Sequence, residues 1–509
     1  MRSFVCAWAL AGCISVPDAE PDPIVTTDAG PVRGIVTADG ALAFRGIPYA
    51  APPVGDLRWR APAPVAPWQD ARDATDWGAY CIQLIDVDVV GGSEDCLFVN
   101  VWTPAERGPD PLPVLFFIHG GSNVSGSSSD PWNGVDVYDG SYAAAHGPAV
   151  VVTINYRLAA MGFLAHATFA SENEHAAAGN YGVLDQIAAL QWVQRNIAAF
   201  GGDPARVLVF GQSAGAYDTC SLVTSPLAAG LFSRALLMSG GCSASSRKQA
   251  AANADLVAQR LGCSDAACLR GKSAEDVTRA TGYYEIGNGS FFGQSVDGYV
   301  QPQQPLHMIA TGAYNHMPLV VGTTAAEMSQ FIWYFIEREP KTEAQYRADV
   351  ETFYGSWTDQ ILAEYPTAEY GTQLAALEAL LADDSFICTS RDLVRAAASA
   401  QTEPVRRYVF AHAFDNPRLA PDGAAHGYDV FFALHNLAGT VIEATPGELA
   451  LGDAMLGTWT HFAATGDAAD WPTYDAATHQ HLTFDEHIAV ADDDRAEQCD
   501  FWDALYGPP

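Results

Sequence analysis

The chain has 509 residues, 49% of them hydrophobic and 17% charged, with a formal net charge of −34 at pH 7. This is a globular composition with ample material for a core, and length alone would allow about three domains. The charge excludes a polyanionic partner: nucleic acid is bound through clustered Lys and Arg, and only three lysines occur. Acidic runs such as Asp492-Asp493-Asp494 read as solvated surface rather than as metal ligands.

The N-terminal stretch "MRSFVCAWALAGC" has a basic residue, a short apolar run and then Leu10-Ala11-Gly12-Cys13. It resembles a bacterial lipoprotein signal, cut before Cys13 with lipidation of that thiol. Residues 1–12 would be the signal and 13–29 an acidic, Pro-rich tether. The expectation is an exported protein, held at the cell envelope by that anchor or secreted or periplasmic. No segment supplies the ~20 apolar residues of a membrane-spanning helix, so the lipid would be the only membrane contact. Without Cys6 and Cys13, eight cysteines remain. An even number in an exported chain suggests bridges, but eight thiols allow 105 pairings. No cysteine or histidine cluster has zinc-site spacing, and no metal is expected.

From residue 30 to 509 no clean boundary, repeat or long linker interrupts the chain, so one large domain with insertions is expected. Apolar, β-branched runs recur: "VLFFIH" at 114–119, "AVVVTINY" at 149–156, "RVLVFG" at 206–211, "LVVGT" at 319–323 and "RRYVFAH" at 406–412. Continuous runs of this kind suit strands buried on both faces of a mostly parallel sheet. Between them, "VLDQIAALQWVQRNIAAFGG" at 183–202 spaces Ile187, Leu190, Val193 and Ile197 as a helix face and stops at Gly201-Gly202. Alternating strand and helix predict an α/β fold.

The first of these strands runs into His119-Gly120-Gly121-Ser122. Paired glycines there can make a tight turn, or bare backbone N–H groups for a reacting oxygen. The third strand runs into Gly211-Gln212-Ser213-Ala214-Gly215, the single G-x-S-x-G of the chain, and a helix can follow. A sharp strand-to-helix turn exposes a serine Oγ and sets the next N–H beside it, which makes Ser213 the candidate nucleophile. A serine hydroxyl needs a base, usually a histidine oriented by a carboxylate. In this type of fold the order is serine, acid, histidine. Of thirteen histidines, His426 stands in a small-residue loop, "PDGAAHGYDVFF", and Glu327 follows a strand-like run in "PLVVGTTAAEM".

Together these segments resemble the type-B carboxylesterase family, which includes the cholinesterases. The match runs from about residue 30 to the C-terminus. "FRGIPYAAPPVGDLRWRAP" at 44–62, "EDCLFVNVWTP" at 94–104, "INYRLAAMGFL" at 154–164, "GNYGVLDQIAALQWVQRNIAAFGGDP" at 179–204, "GQSAGA" at 211–216, "HGYDVFF" at 426–432 and "CDFWD" at 499–503 carry it in order. The resemblance implies an α/β-hydrolase fold: a central, mostly parallel sheet flanked by helices, with large helical insertions. It implies a serine carboxylesterase with Ser213 as nucleophile, His426 as base and Glu327 as orienting acid. Gly121, Ser122 and Ala214 would supply the oxyanion-hole N–H groups, with Ser122 standing where the family usually has a third glycine. It also implies disulfides Cys81–Cys96, Cys263–Cys268 and Cys388–Cys499, and scaffold ion pairs Arg58–Glu94 and Arg157–Asp185. Even counting then leaves Cys220 and Cys242 for a fourth bridge.

The expected partners are a small-molecule ester and water, with no cofactor. The Cys81–Cys96 loop contains no Trp or Tyr, and neutral Gln212 precedes the nucleophile where cholinesterases carry glutamate; both speak against a choline ester. Asn288, Gly289 and Ser290 are small where aromatics narrow the cholinesterase acyl pocket, so short to medium acyl chains, or aryl and alkyl esters, are expected. Gln212, Phe291, Phe292 and Phe331 are the candidate pocket residues; Trp333 and Tyr334 could add to them. The alternatives are an acyltransferase using the same acyl-enzyme and a catalytically silent binding or adhesion relative.

Overall fold

The computed structural model describes residues 22–132, 134–282, 292–336, 338–438, 442–468, 471–492 and 495–507. The signal segment, Cys13 and the Asn288–Phe291 stretch lie outside the described residues. The apolar runs form the middle of an 11-stranded sheet. In chain order its strands are β1 (Ile35–Val36), β2 (Ala41–Pro48), β3 (Phe98–Pro104), β4 (Leu112–Ile118), β5 (Val150–Ile154), β6 (Gly202–Gln212), β7 (Arg234–Met238), β8 (Leu319–Thr324), β9 (Val405–Phe410), β10 (His481–Phe484) and β11 (Ala489–Ala491).

In space they lie in the order β11-β10-β9-β8-β7-β6-β4-β5-β3-β2-β1. Pairing is parallel from β5 through β10 and antiparallel at both margins. The side-chain period of two divides the core. Val114, Phe116 and Ile118 of β4 pack on one face, and Leu115 and Phe117 on the other. Because both faces are covered, the strand reads as an unbroken apolar run.

Helix α1 (Tyr181–Asn196) has the expected spacing, with Ile187, Leu190 and Val193 buried. It tightens into a 3₁₀ turn at Ile197–Phe200 and is stopped by Gly201 at φ 85°. A third apolar cluster lies in the helical insertion after β8, where Met328, Ile332, Tyr346, Leu377, Leu380 and Phe386 pack with Trp502 from the C-terminal helix. The end of the expected tether requires correction. Residues 24–26 pair with 31–33 as antiparallel strands, and Trp68 packs over the turn. This pairing makes residues 24–29 part of the folded body.

All four expected disulfides are present, with Cα–Cα distances of 4.9 Å (Cys81–Cys96), 5.4 Å (Cys220–Cys242), 5.5 Å (Cys263–Cys268) and 5.1 Å (Cys388–Cys499). Four bridges fit an oxidising compartment. Among the described residues no helix is long and apolar enough to cross a membrane. The two scaffold ion pairs are formed: Arg58 grips Glu94 at 2.6 Å, and Arg157 grips Asp185 at 2.7 Å in a fully enclosed site.

Candidate active site

β6 ends at Gln212 and helix α2 (Ala214–Thr224) begins two residues later. Ser213 alone makes the turn, with φ 57° and ψ −123°. That conformation is costly for a residue with a side chain and persists only when its surroundings impose it. Ser213 N–H donates to Met238 O on β7 at 2.9 Å. The flanking glycines are required by close approach. A Cβ on Gly211 would lie 2.3 Å from Gly215 O, and one on Gly215 would lie 2.1 Å from Ile118 O.

Glu327 sits three residues beyond β8 and is completely buried. Its Oε1 accepts the Thr324 N–H at 2.7 Å, and its Oε2 lies 2.5 Å from His426 Nδ1. A one-residue bridge between Ala326 and Ala425 joins the two loops. His426 is flanked by Phe331, stacked at 5.3 Å, and by Phe386 at 4.8 Å. With its Nδ1–H given to Glu327, the ring accepts at Nε2, and the Gln212 Nε2 amide donates there at 3.0 Å. Among the described residues, no hydrogen bond joins Ser213 Oγ to the ring.

The loop after β4 carries three successive positive φ values: Gly121 at 101°, Ser122 at 55° and Asn123 at 58°. Gln83, inside the Cys81–Cys96 loop, clamps its far end through paired hydrogen bonds with Gly126 at 2.8 and 2.9 Å. No acceptor among the described residues takes the N–H of Gly121, Ser122 or Ala214. Two cavities meet at Ser122 and Phe331. One, of about 440 Å³, is lined by Ser213, Ala214, Tyr217, Ser243, Phe335 and Phe386. The other, of about 400 Å³, is lined by Gly121, Gln83, Leu84, Ile85, Asp130 and Thr281. The arrangement offers a hydroxyl, an imidazole–carboxylate pair, free N–H donors and room on two sides of one carbonyl carbon.

Of the expected pocket residues, Phe331 lines both cavities. Phe292 does not. It is a core residue, buried in the same cluster as Val257, Val277 and Val300. Gln212 is turned onto His426 and away from the cavity walls. Trp333 is half-exposed and lines neither cavity. Other wall residues were not among those expected. Tyr217 stands one helical turn after Ser213 on α2, whereas Phe335 and Phe386 belong to segments with no motif and only the fold brings them to the Ser213 cavity.

The sequence model of the carboxylesterase family matches residues 21–502. The para-nitrobenzyl esterase of Bacillus subtilis (strain 168) is 35% identical over 497 residues, covering 93% of this chain and 97% of its own. The fumonisin B1 esterase of Sphingopyxis macrogoltabida is 34% identical, covering 92% and 88%. The acetylcholinesterase of Bungarus fasciatus is 32% identical, covering 97% and 88%. A solved PNB esterase structure superimposes with a TM-score of 0.80 at 34% identity, over 94% of this chain and all of that one. Its fold is the α/β-hydrolase fold, which this sheet and its flanking helices share. The chain belongs to the type-B carboxylesterase family and is a carboxylic ester hydrolase.

Proposed function

We propose that the protein hydrolyses short to medium acyl esters, or aryl and alkyl esters, through an acyl-enzyme on Ser213. The observation that carries this is the Glu327–His426 contact beside a strained serine and unused N–H groups. His426 turns from Gln212 to take the Ser213 proton as Oγ attacks the ester carbonyl. The oxyanion settles on the N–H groups of Gly121, Ser122 and Ala214, fixed donors worth about 10²–10³ each in turnover. His426 then protonates the leaving alcohol, and the same nitrogen activates the water that frees the acid. Two cavities meeting at the oxyanion loop suit an acyl group on one side and an alcohol on the other. Export, with Cys13 as the anchor, is part of the same proposal and is supported by the four disulfides.

The test is a covalent label with a rate panel. Diethyl p-nitrophenyl phosphate is expected to release one p-nitrophenol per chain and to leave its phosphoryl group on Ser213 by mass spectrometry. Rates on p-nitrophenyl acetate, butyrate and octanoate are expected to hold or rise from acetate to butyrate. A label on another residue, or a steep fall from acetate to butyrate, would refute the respective half of the proposal.

Gln212 allows a signed prediction. Its amide donates to neutral imidazole, whereas a carboxylate in its place would stabilise the imidazolium. Gln212→Glu is expected to move the acid limb of kcat/KM upward by about one pH unit or more. Activity at pH 6 falls while the alkaline plateau stays. An unshifted limb would mean that Gln212 leaves the base during catalysis without influencing it.

A further inference from the structure

The oxyanion loop is tied to the nucleophile helix by a buried carboxylate that hydrolysis itself does not use. Asp218 stands on α2, one turn beyond Ser213, and is completely buried. Its Oδ1 accepts from Asn123 Nδ2 at 3.2 Å, and its Oδ2 from Gln186 Nε2 on α1 at 2.7 Å. Asn123 directly follows Ser122. Its carbonyl accepts from Ala159 N–H at 2.6 Å, and its Nδ2 also reaches Gln294 Oε1 at 3.3 Å. Gln294 lines the cavity at Ser213.

Both amides turn their NH₂ groups to the carboxylate and leave their own oxygens, Asn123 Oδ1 and Gln186 Oε1, buried without a partner. Two donors facing one group is the arrangement an ionised carboxylate imposes; a protonated one would present a donor of its own. We infer that Asp218 is a positioning residue for the oxyanion hole: ionised, it holds Asn123, and through Asn123 it holds the Gly121 and Ser122 N–H groups over Ser213. The inference rests on the Ser213 reading above.

The groups around the carboxylate carry no positive charge to hold it ionised. Gln186, Asn123 and Gln294 are neutral. Tyr156, which also faces it, donates its hydroxyl to His119 O at 2.9 Å. His119, stacked on Tyr156 at 4.4 Å, is kept neutral by burial, which pushes its pKa down to about 4. Arg157, the next residue, is committed to Asp185. Burial therefore raises the Asp218 pKa to about 7, against the weaker lowering by its donors. The sign follows. Ionised Asp218 is lost as pH falls through that value, and with it the grip on Asn123. In the same window ionisation costs stability, because a carboxyl with a raised folded-state pKa favours the fold when protonated.

A role in positioning thus separates activity from stability. Asp218→Asn keeps the shape and removes the charge, and Gln186 can turn its free oxygen to the new amide. At pH 8 we expect kcat on p-nitrophenyl butyrate to fall about 10- to 100-fold, up to the lower end of what losing one donor outright costs. KM stays within about twofold, as expected when an interaction is made only in the transition state. An aryl trifluoromethyl ketone, which places an oxyanion in the hole, is expected to bind more weakly by the same factor, while Tm is unchanged or higher. The wild-type acid limb of kcat steepens toward two protons, and the variant's returns to one. Asn123→Ala, with the carboxylate retained, is expected to copy the loss, and Asp218→Glu to restore part of it. Unchanged kcat and ketone affinity in an enzyme that still labels at Ser213 would overturn this inference alone. A kcat loss accompanied by a lower Tm and unchanged ketone affinity would reduce Asp218 to a packing residue. Wild type that hydrolyses esters without labelling at Ser213 would overturn both readings.

Discussion

Replacing Ser213 by Ala is expected to lower kcat/KM on p-nitrophenyl butyrate by about 10⁶-fold, the scale on which removing a serine nucleophile acts. The variant keeps its turn. Alanine has a Cβ as serine does, so the backbone at φ 57° carries the same strain, and the backbone N–H that Ser213 gives to Met238 O is retained. The imidazole keeps both of its partners, Glu327 and Gln212. Only the oxygen that forms the acyl bond is removed. Residual catalysis comes from the N–H groups of Gly121, Ser122 and Ala214, which can still stabilise attack by water. The measurement is a steady-state rate on wild type and variant, with Tm as the control for folding. A variant retaining more than about one part in a hundred would place the nucleophile elsewhere. Ser122 and Ser243 line the same cavity and would be the residues to replace next.

The sheet was legible because each central strand is buried on two faces, so that Val114 to Ile118 and Val150 to Ile154 read as unbroken apolar runs. The nucleophile was legible because its signal is local. Gly211 and Gly215 flank Ser213 within one strand-to-helix turn, and steric crowding requires both. Glu327 and His426 lie 99 residues apart, and their two loops are joined by the Ala326–Ala425 bridge and by Ser329 and Gln330 on Asp422. No periodicity announces that contact; a family pattern was needed to choose His426 among thirteen histidines. Phe292 and Phe331 show the limit of residue type. Both are phenylalanines near the expected pocket, yet one fills the core and the other walls the cavities. The helical insertion was expected from the family resemblance alone. Breaks at Gly355 and Gly371, both at positive φ, cut its first half into short helices. The Asp218–Asn123 contact spans 95 residues, and neither residue belongs to a motif.

Glu327→Gln is expected to lower kcat by about 10⁴-fold while leaving the fold intact, because it inverts the imidazole tautomer. The geometry dictates the outcome. Glu327 Oε1 is held by the Thr324 N–H at 2.7 Å and must remain an acceptor. A glutamine at this position therefore keeps its carbonyl oxygen there and turns its NH₂ toward His426 Nδ1. That nitrogen becomes the acceptor, and the ring proton moves to Nε2. A ring that carries its proton on Nε2 cannot take one from Ser213. Gln212, 3.0 Å from that nitrogen, can turn its amide oxygen to accept the same proton, which holds the ring in the unproductive tautomer. KM on p-nitrophenyl butyrate is expected to change little, since Glu327 touches neither cavity. Labelling of Ser213 by diethyl p-nitrophenyl phosphate should slow by a comparable factor, because it draws on the same base. A fall in kcat of less than about tenfold would mean that the carboxylate holds the loop and not the tautomer. The Gln212→Glu variant would then be left as the handle on the base.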